Sequence, residues 1–206
     1  MSPRSYNLGR RKATIDETRA RIVRAARELL GDPLGGTAFT IDAVARRANV
    51  ARMTVYYQFA SRQGLLEAVY DDLAARGLVD RLPAVFTAPD QGAAVSALVR
   101  AFFGFWATDR LVQRRARAFA LLDPEIEAGV RARDERRRQI CRTVMTRLAG
   151  KDGAAPPGLD DSVDLLFMLT SFETFDVLAT EQRPFEAAVS LVQRLARGVA
   201  GVTDED

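Results

Sequence analysis

The part of this chain that most constrains its fold is residues 37–66, where two short amphipathic segments flank Asn49. Thr40 precedes the first segment and Ser61 precedes a third, and hydroxyl side chains at such positions cap helices by accepting hydrogen bonds from backbone N–H groups. Asn49 tolerates the left-handed backbone that ends a helix almost as well as glycine does. The stretch therefore predicts a helix after Thr40, a turn at Asn49, a second helix over residues 51–59 and a third after Ser61. This is the arrangement of a helix-turn-helix.

The rest of the sequence also has a helical pattern, because no sustained alternation of apolar and polar residues indicates a strand. Thr14-Ile15-Asp16-Glu17 has the form of a capping box, which predicts the start of the first helix, and Gly31-Asp32-Pro33 predicts its end. Gly77 and Pro83 mark the end of the N-terminal helices. After that point we expect five more helices, at about 91–107, 110–121, 124–149, 160–181 and 185–200.

These signals predict an all-α protein of about nine helices in two domains. The first is an N-terminal three-helix domain that contains the helix-turn-helix, and the second is a larger C-terminal helical domain. In chain order we expect a flexible basic arm at residues 1–13, the helix-turn-helix domain at 14–60, a connecting helix at 61–82, the C-terminal domain at 83–201 and an acidic tail at 202–206.

The composition includes few of the side chains that catalysis or metal binding commonly uses. The 206 residues include no histidine, the commonest general base and metal ligand, and Cys141 is the single cysteine. We therefore expect no enzymatic activity, no cofactor and no metal site, with an all-α enzyme as a remote alternative. Cys141 cannot form an internal disulfide, and the sequence shows neither a membrane-spanning apolar run nor a secretory signal. These features favour a cytoplasmic protein in which Cys141 is an inert thiol rather than a redox centre.

The charge is unevenly placed along the chain. Residues 1–62 hold twelve Lys/Arg against five Asp/Glu, a net +7, whereas residues 63–206 hold 18 against 22, a net −4. The basic excess therefore lies wholly in the part that contains the helix-turn-helix. Such asymmetry indicates a polyanionic partner for that end of the chain, and a helix-turn-helix places its second helix in the major groove of DNA.

The second helix of the predicted motif divides into a packing side and an exposed side. Val50, Val55 and Phe59 can pack against Ile41, Val44 and Ala45. On the exposed side, arginine can pair with guanine and glutamine with adenine, whereas tyrosine and threonine hydroxyls can bond phosphate. Arg62 adds a charge in the first turn of the next helix, where free amides also favour phosphate. The candidate DNA-contacting residues are Thr40, Arg52, Met53, Thr54, Tyr56, Tyr57, Gln58 and Arg62.

This block resembles the tetracycline-repressor (TetR) family of bacterial transcription factors over about residues 14–70. The resemblance lies in Thr40, Ile41-x-x-Val44-Ala45, Val50, Thr54-Val55-Tyr56, Phe59 and Ser61-Arg62-x-x-Leu65-Leu66. The sequence departs from the usual family pattern at Asn49, Ala51, Met53, Ala60 and Arg62. The resemblance implies that Tyr56 and Arg62 bind phosphates and that Arg52, Thr54 and Tyr57 face bases or phosphates. From the residues alone, Tyr56 as a core residue, Arg52 as a solvated side chain and a basic arm without DNA contact stay open.

The same resemblance implies that the C-terminal domain binds a small-molecule effector. Aromatic residues crowd its middle helices, and Thr170, Thr174 and other polar residues interrupt the apolar segment 160–181, as in a site for an apolar ligand. Ordinary core packing is the alternative for each aromatic residue. The candidate pocket residues are Phe102, Phe105, Trp106, Phe119, Met168, Phe172, Glu173 and Asp176.

Segment 160–181 is apolar nearly all round, so it must be buried on several sides. Together with segment 185–200 it forms the predicted homodimer interface. A homodimer places one recognition helix in each half-site, which predicts a palindromic operator. The predicted function is a DNA-binding repressor released by a small apolar or aromatic effector. The alternative is a regulator controlled by a protein partner or by its own level.

The arginine-rich run from Arg131 to Arg138 also contains Asp134 and Glu135. Its mixed charges, and ion pairs of Glu127 with Arg131 and of Asp134 with Arg138, predict a solvated helix face rather than a second nucleic-acid site.

Overall fold

Caps and helix breaks in the sequence set the bounds of most helices in a computed structural model of the chain, which describes residues 4–32, 39–147 and 158–202. The described residues form helices and no strands, which confirms the all-α fold class. In chain order the helices are α1 (Arg4–Gly31), α2 (Ile41–Ala48), α3 (Arg52–Phe59), α4 (Arg62–Gly77), α5 (Leu82–Phe86), α6 (Gln91–Thr108), α7 (Arg110–Ala120), α8 (Pro124–Arg147), α9 (Leu159–Leu169), α10 (Phe172–Leu178) and α11 (Phe185–Val199).

The chain divides into two compact units. The first comprises Met1–Asp72 together with Arg114–Gly129, and the second comprises Leu73–Gln113 together with Val130–Asp206. This division differs from the expected one at residue 83, because residues 114–129 group with the N-terminal helices. Sequence order alone carries no sign of that long-range grouping.

The first helix starts earlier than expected. We predicted a flexible arm over residues 1–13 and a start at the Thr14 capping box, but α1 begins at Arg4, so the prediction is wrong for residues 4–13. The physical reason is helix propensity: apart from Gly9, the stretch from Leu8 to Ala13 consists of arginine, lysine, leucine and alanine, which extend a helix readily. Residues 1–3 lie outside the described part of the chain.

The segment expected as one helix over 160–181 is two helices. α9 ends at Leu169 and α10 begins at Phe172, because Ser171 has extended backbone (φ −71°, ψ 160°) and its hydroxyl accepts from the amide of Thr174 at 3.1 Å. The Thr174 hydroxyl in turn donates to the carbonyl oxygen of Met168 at 2.7 Å. Local side-chain hydrogen bonds of this kind replace the helical ladder. This break and the short helix α5, which we did not predict, raise the number of described helices from the expected nine to eleven.

The other bounds agree with the predicted ones to within two residues, namely those of α6, α7 and α11 and the start of α8. Residues 33–38, residues 148–157 and residues 203–206 of the predicted acidic tail lie outside the described part of the chain. Among the described helices, none is long and apolar enough to cross a membrane.

Candidate nucleic-acid interface

The turn between α2 and α3 has the caps that the sequence predicts. The Thr40 hydroxyl accepts from the amide of Ala43 at 3.2 Å at the start of α2. Asn49 ends the helix in the left-handed conformation (φ 51°, ψ 54°), and its amide donates to the carbonyl oxygen of Arg46 at 3.2 Å. Both predictions are confirmed, and together they fix the direction in which α3 leaves α2.

α3 presents one side to the core and the other to solvent. Val55 and Phe59 are buried, as are Ile41, Val44 and Ala45 of α2, and Val50 is half-buried. On the opposite side, Met53 is 71% exposed and Tyr57 is 88% exposed. Met53 and Tyr57 therefore lie on the side of α3 that faces away from the core.

Arg52 is held in place at the first turn of α3. Its guanidinium donates to Asp42 Oδ2 at 3.2 Å and to the Tyr56 hydroxyl at 3.4 Å, and it lies 5.5 Å from the centroid of the Tyr56 ring. The hydrogen bond to Tyr56, followed by the negative charge of Asp42, raises the pKa of Arg52 above its ordinary value. Arg52 is thus a positioned cation on the exposed side of α3, and Tyr56 is half-buried beside it.

The end of α3 is fixed by a residue that the sequence did not single out. Arg19 of α1 donates to the carbonyl oxygen of Gln58 at 2.8 Å and lies 4.4 Å from the centroid of the Phe59 ring. A cation at a helix C-terminus opposes the negative end of the helix dipole. Arg19 therefore fixes the C-terminal end of α3, the helix that carries the candidate interface. Nothing in its sequence context separates it from the other arginines of α1.

The link from α3 to α4 is a tight turn with an unusual backbone. Ala60 has φ 62° and ψ −43°, and the amide of Ser61 donates to the carbonyl oxygen of Phe59 at 2.7 Å, which makes a γ-turn. The Ser61 hydroxyl then accepts from the amide of Gly64 at 3.0 Å, which confirms the predicted cap. A non-glycine residue at positive φ is strained, and such strain is typical of sites whose geometry matters.

Arg62 does not extend freely into solvent. Its guanidinium forms an ion pair with Asp123 Oδ2, and the two side chains are 33% and 20% exposed. The other carboxylate oxygen of Asp123 accepts from the amides of Glu125 at 3.0 Å and Ile126 at 3.4 Å at the start of α8. In the sequence, Asp123-Pro124 indicates only the start of a helix. The partner of Arg62, 61 residues away, was missed.

The eight predicted pocket residues do not form one cluster. Phe102, Phe105, Trp106 and Phe172 do lie together, with Trp106 between 4.6 and 6.2 Å from the other three ring centroids. Phe119 belongs to the first compact unit, where it lies 6.4 Å from Phe39. Three other members face different surroundings: Met168 is 53% exposed, Glu173 is exposed and Asp176 pairs with Arg110.

The arginine-rich run on α8 is not solvated throughout, which corrects the sequence-based prediction. Arg137 is buried, donates to the carbonyl oxygen of Phe167 and to the Thr170 hydroxyl (3.2 Å), and pairs with Asp134 at 3.1 Å. The carbonyl groups at the end of α9 need donors, and this arginine supplies one. Arg138 pairs with Asp164 of α9.

Cys141 lies next to this polar cluster. Its sulfur is 3.8 Å from the Thr170 hydroxyl, and burial raises the pKa of the thiol. A raised pKa lowers the thiolate fraction, which favours the inert role. Among the residues that the structure describes, no group of three potential ligands is arranged to hold a metal ion.

Comparisons with known proteins agree with this geometry. Residues 22–69 match the sequence profile described as bacterial regulatory proteins, tetR family. A TetR-like transcriptional regulator from Rhodococcus sp. RHA1 is 19% identical with a TM-score of 0.58, over 89% of this chain and 96% of its own. The TetR family repressor AlkX from Dietzia sp. strain DQ12-45-1b, implicated in biodegradation of n-alkanes, is 19% identical with a TM-score of 0.50, over 91% and 99%. No curated protein sequence matches significantly.

A helix-turn-helix whose second helix packs on one side and is exposed on the other is typical of DNA-binding proteins. The TetR-family profile matches the last part of α1, all of α2 and α3 and the first half of α4, and the solved TetR-like proteins share the fold of the chain. Proteins of the TetR family are DNA-binding transcription factors.

Proposed function

We propose that this protein is a homodimeric repressor that binds a palindromic operator and is released by a small apolar or aromatic effector. The observation that carries the DNA-binding part is the exposed side of α3, where Met53 and Tyr57 face solvent beside the positioned cation Arg52. An exposed helix side with aromatic, hydroxyl and guanidinium groups suits the major groove. We infer repression rather than activation by analogy with AlkX, a repressor with the same fold.

The residues on this side divide into two roles. Arg52 is placed to read a guanine, with Thr54, Tyr57 and Gln58 beside it facing bases or phosphates. Tyr56 and Arg62 are assigned to phosphates. Thr40 and Met53 flank the surface that contacts DNA. Asp42 is added to the set because it orients Arg52 at 3.2 Å.

The proposed homodimer uses α9, α10 and α11. Large apolar side chains of these helices stay in water, notably Val177 of α10, which is 74% exposed, and Leu195 of α11, which is 51% exposed. Leu165 and Met168 of α9 are also exposed. Burying such side chains against the same side of a second copy is favourable and gives a two-fold interface.

The effector is assigned to the aromatic cluster around Trp106, because the cluster combines apolar walls with the polar groups of Thr170 and Arg137. One observation favours the second candidate, a regulator without a small-molecule effector. Trp106 is 4% exposed, and its indole N–H already donates to Thr170, so the cluster is packed as a core.

Selection from random duplexes tests the DNA-binding part. We expect the full-length protein to recover a two-fold symmetric site whose affinity falls as salt rises, because phosphate contacts release counterions. Arg52→Ala should relax preference at one base pair in each half-site, whereas Arg62→Ala should weaken binding to all duplexes by a similar factor. Recovery of no symmetric sequence would contradict the proposal.

The effector part needs a separate measurement. A panel of apolar and aromatic compounds is titrated against Trp106 emission and against release of the selected duplex. An effector should change both over the same concentration range. If such a compound releases DNA equally well from Trp106→Phe, Trp106 belongs to the core and the pocket lies elsewhere.

A further inference from the structure

The ion pair between Arg62 and Asp123 bears directly on the phosphate contact assigned to Arg62. Arg62 lies in the first turn of α4, three residues after the recognition helix α3 ends at Phe59. Its partner comes from the turn between α7 and α8, within the same compact unit. The group expected to bind an operator phosphate is therefore already bound to a carboxylate of the protein itself.

Asp123 is fixed in place independently of Arg62. Its Oδ1 accepts from the backbone amides of Glu125 and Ile126, so the carboxylate caps α8 whether or not the arginine is there. Only Oδ2 faces Arg62. When Arg62 moves, the negative charge stays where it is.

A phosphate and this carboxylate cannot share Arg62 at low cost. Both are anions, and placing a phosphate oxygen beside the fixed Asp123 charge adds like-charge repulsion, which is least screened for partly buried groups. Both side chains are partly buried, at 33% and 20% exposure. A phosphate that binds Arg62 therefore either displaces Asp123 or lies beside its charge, and both weaken the contact.

We infer that Asp123 is an intramolecular competitor for the DNA phosphate, and that it lowers operator affinity by holding Arg62. This inference rests on the proposed DNA-binding function and adds to it a residue outside the helix-turn-helix. An ion pair of this partly exposed kind is modest in strength, so its removal should tighten DNA binding by about two- to fivefold.

Asp123→Asn tests the inference cleanly, because asparagine caps helices as well as aspartate does but carries no charge. Glu125→Gln is the matched control: Glu125 is exposed, lies two residues away and loses the same charge. Arg62→Ala provides the background in which the competitor has nothing to hold. Asp123→Ser, which also keeps a capping oxygen, replaces Asp123→Asn if thermal unfolding shows that the asparagine variant is unstable.

The measurement is fluorescence anisotropy of a labelled mixed-sequence duplex with full-length protein over a range of salt concentrations. We expect Asp123→Asn to bind DNA more tightly than Glu125→Gln. Its affinity should also fall more steeply as salt rises, by up to about the amount that one additional phosphate contact contributes. In the Arg62→Ala background the two neutralised variants should bind alike.

Two results would overturn the inference while leaving DNA binding intact. Weaker binding by Asp123→Asn would show that Asp123 orients Arg62 toward the phosphate rather than withholding it. Equal tightening by Glu125→Gln, or tightening that persists without Arg62, would show a general charge effect. Failure of the unaltered protein to bind any duplex would instead contradict the proposed function.

Discussion

Trp106 donates its indole N–H to the main-chain carbonyl oxygen of Thr170 at 3.0 Å, across 64 residues of sequence. Thr170 lies in the break between α9 and α10, where the carbonyl groups at the end of α9 have no partner further along the helix. The single tryptophan of the chain thus acts as a cap for a distant helix. This hydrogen bond ties α6 to the site at which the apolar segment bends.

We expect Trp106→Phe to lower the free energy of unfolding by about 2–4 kcal/mol, because it removes a buried hydrogen bond as well as part of a packed ring. Urea unfolding followed by circular dichroism measures this, since the variant has no tryptophan emission. Phe172→Leu is the control: Phe172 lies 5.8 Å from the Trp106 ring but offers no N–H donor. A loss for Trp106→Phe no larger than that of the control would argue against the capping role.

Gly64 lies against the carbonyl oxygen of Phe59, so close that a Cβ atom at this position would overlap it. Gly64→Ala must therefore shift the turn between α3 and α4, and we expect it to lower the melting temperature and to abolish tight DNA binding. Gly129→Ala is the matched control in the same compact unit, because its Cβ would meet only Gln63 Cγ at 3.7 Å. Normal DNA binding by Gly64→Ala would mean that the turn geometry is unimportant.

Ala60 has positive φ, a conformation that glycine adopts without strain. We expect Ala60→Gly to raise the free energy of unfolding by up to about 1 kcal/mol, measured by chemical denaturation. Ala128→Gly, at an exposed position inside α8, should instead lower it by roughly 0.5–1 kcal/mol. If both substitutions destabilise equally, the turn at Ala60 carries no strain.

The proposed dimer predicts that substitutions at two exposed apolar positions affect the oligomeric state differently. Val177→Asp places a charge on the α9–α11 surface and should convert the protein to a monomer in sedimentation experiments, with DNA affinity reduced because one half-site contact is lost. Leu122→Asp changes a side chain that is 87% exposed in the turn between α7 and α8, and it should leave the dimer intact. A dimeric Val177→Asp protein would place the interface on another surface.

The sequence alone predicted the helix-turn-helix in detail. Thr40, Asn49 and Ser61 act over three or four residues, so their capping roles can be read without knowing any tertiary contact. The apolar periodicity likewise gave the buried sides of α2 and α3. The class of the protein follows from these local features, because the motif depends on a short stretch of chain.

The partners of the charged and polar side chains were decided only by the tertiary structure. Arg62 pairs with Asp123, Arg137 is buried against the end of α9, and Phe119 lies beside Phe39 rather than with the other aromatic residues. Each of these partners lies at least 30 residues away in sequence. Nearby residues in the sequence determine whether a residue is in a helix and which side of the helix it occupies. The partner of its side chain depends instead on how helices that are distant in sequence pack together. For this reason the sequence predicts a phosphate contact for Arg62, whereas the partner that the structure shows is the carboxylate of Asp123.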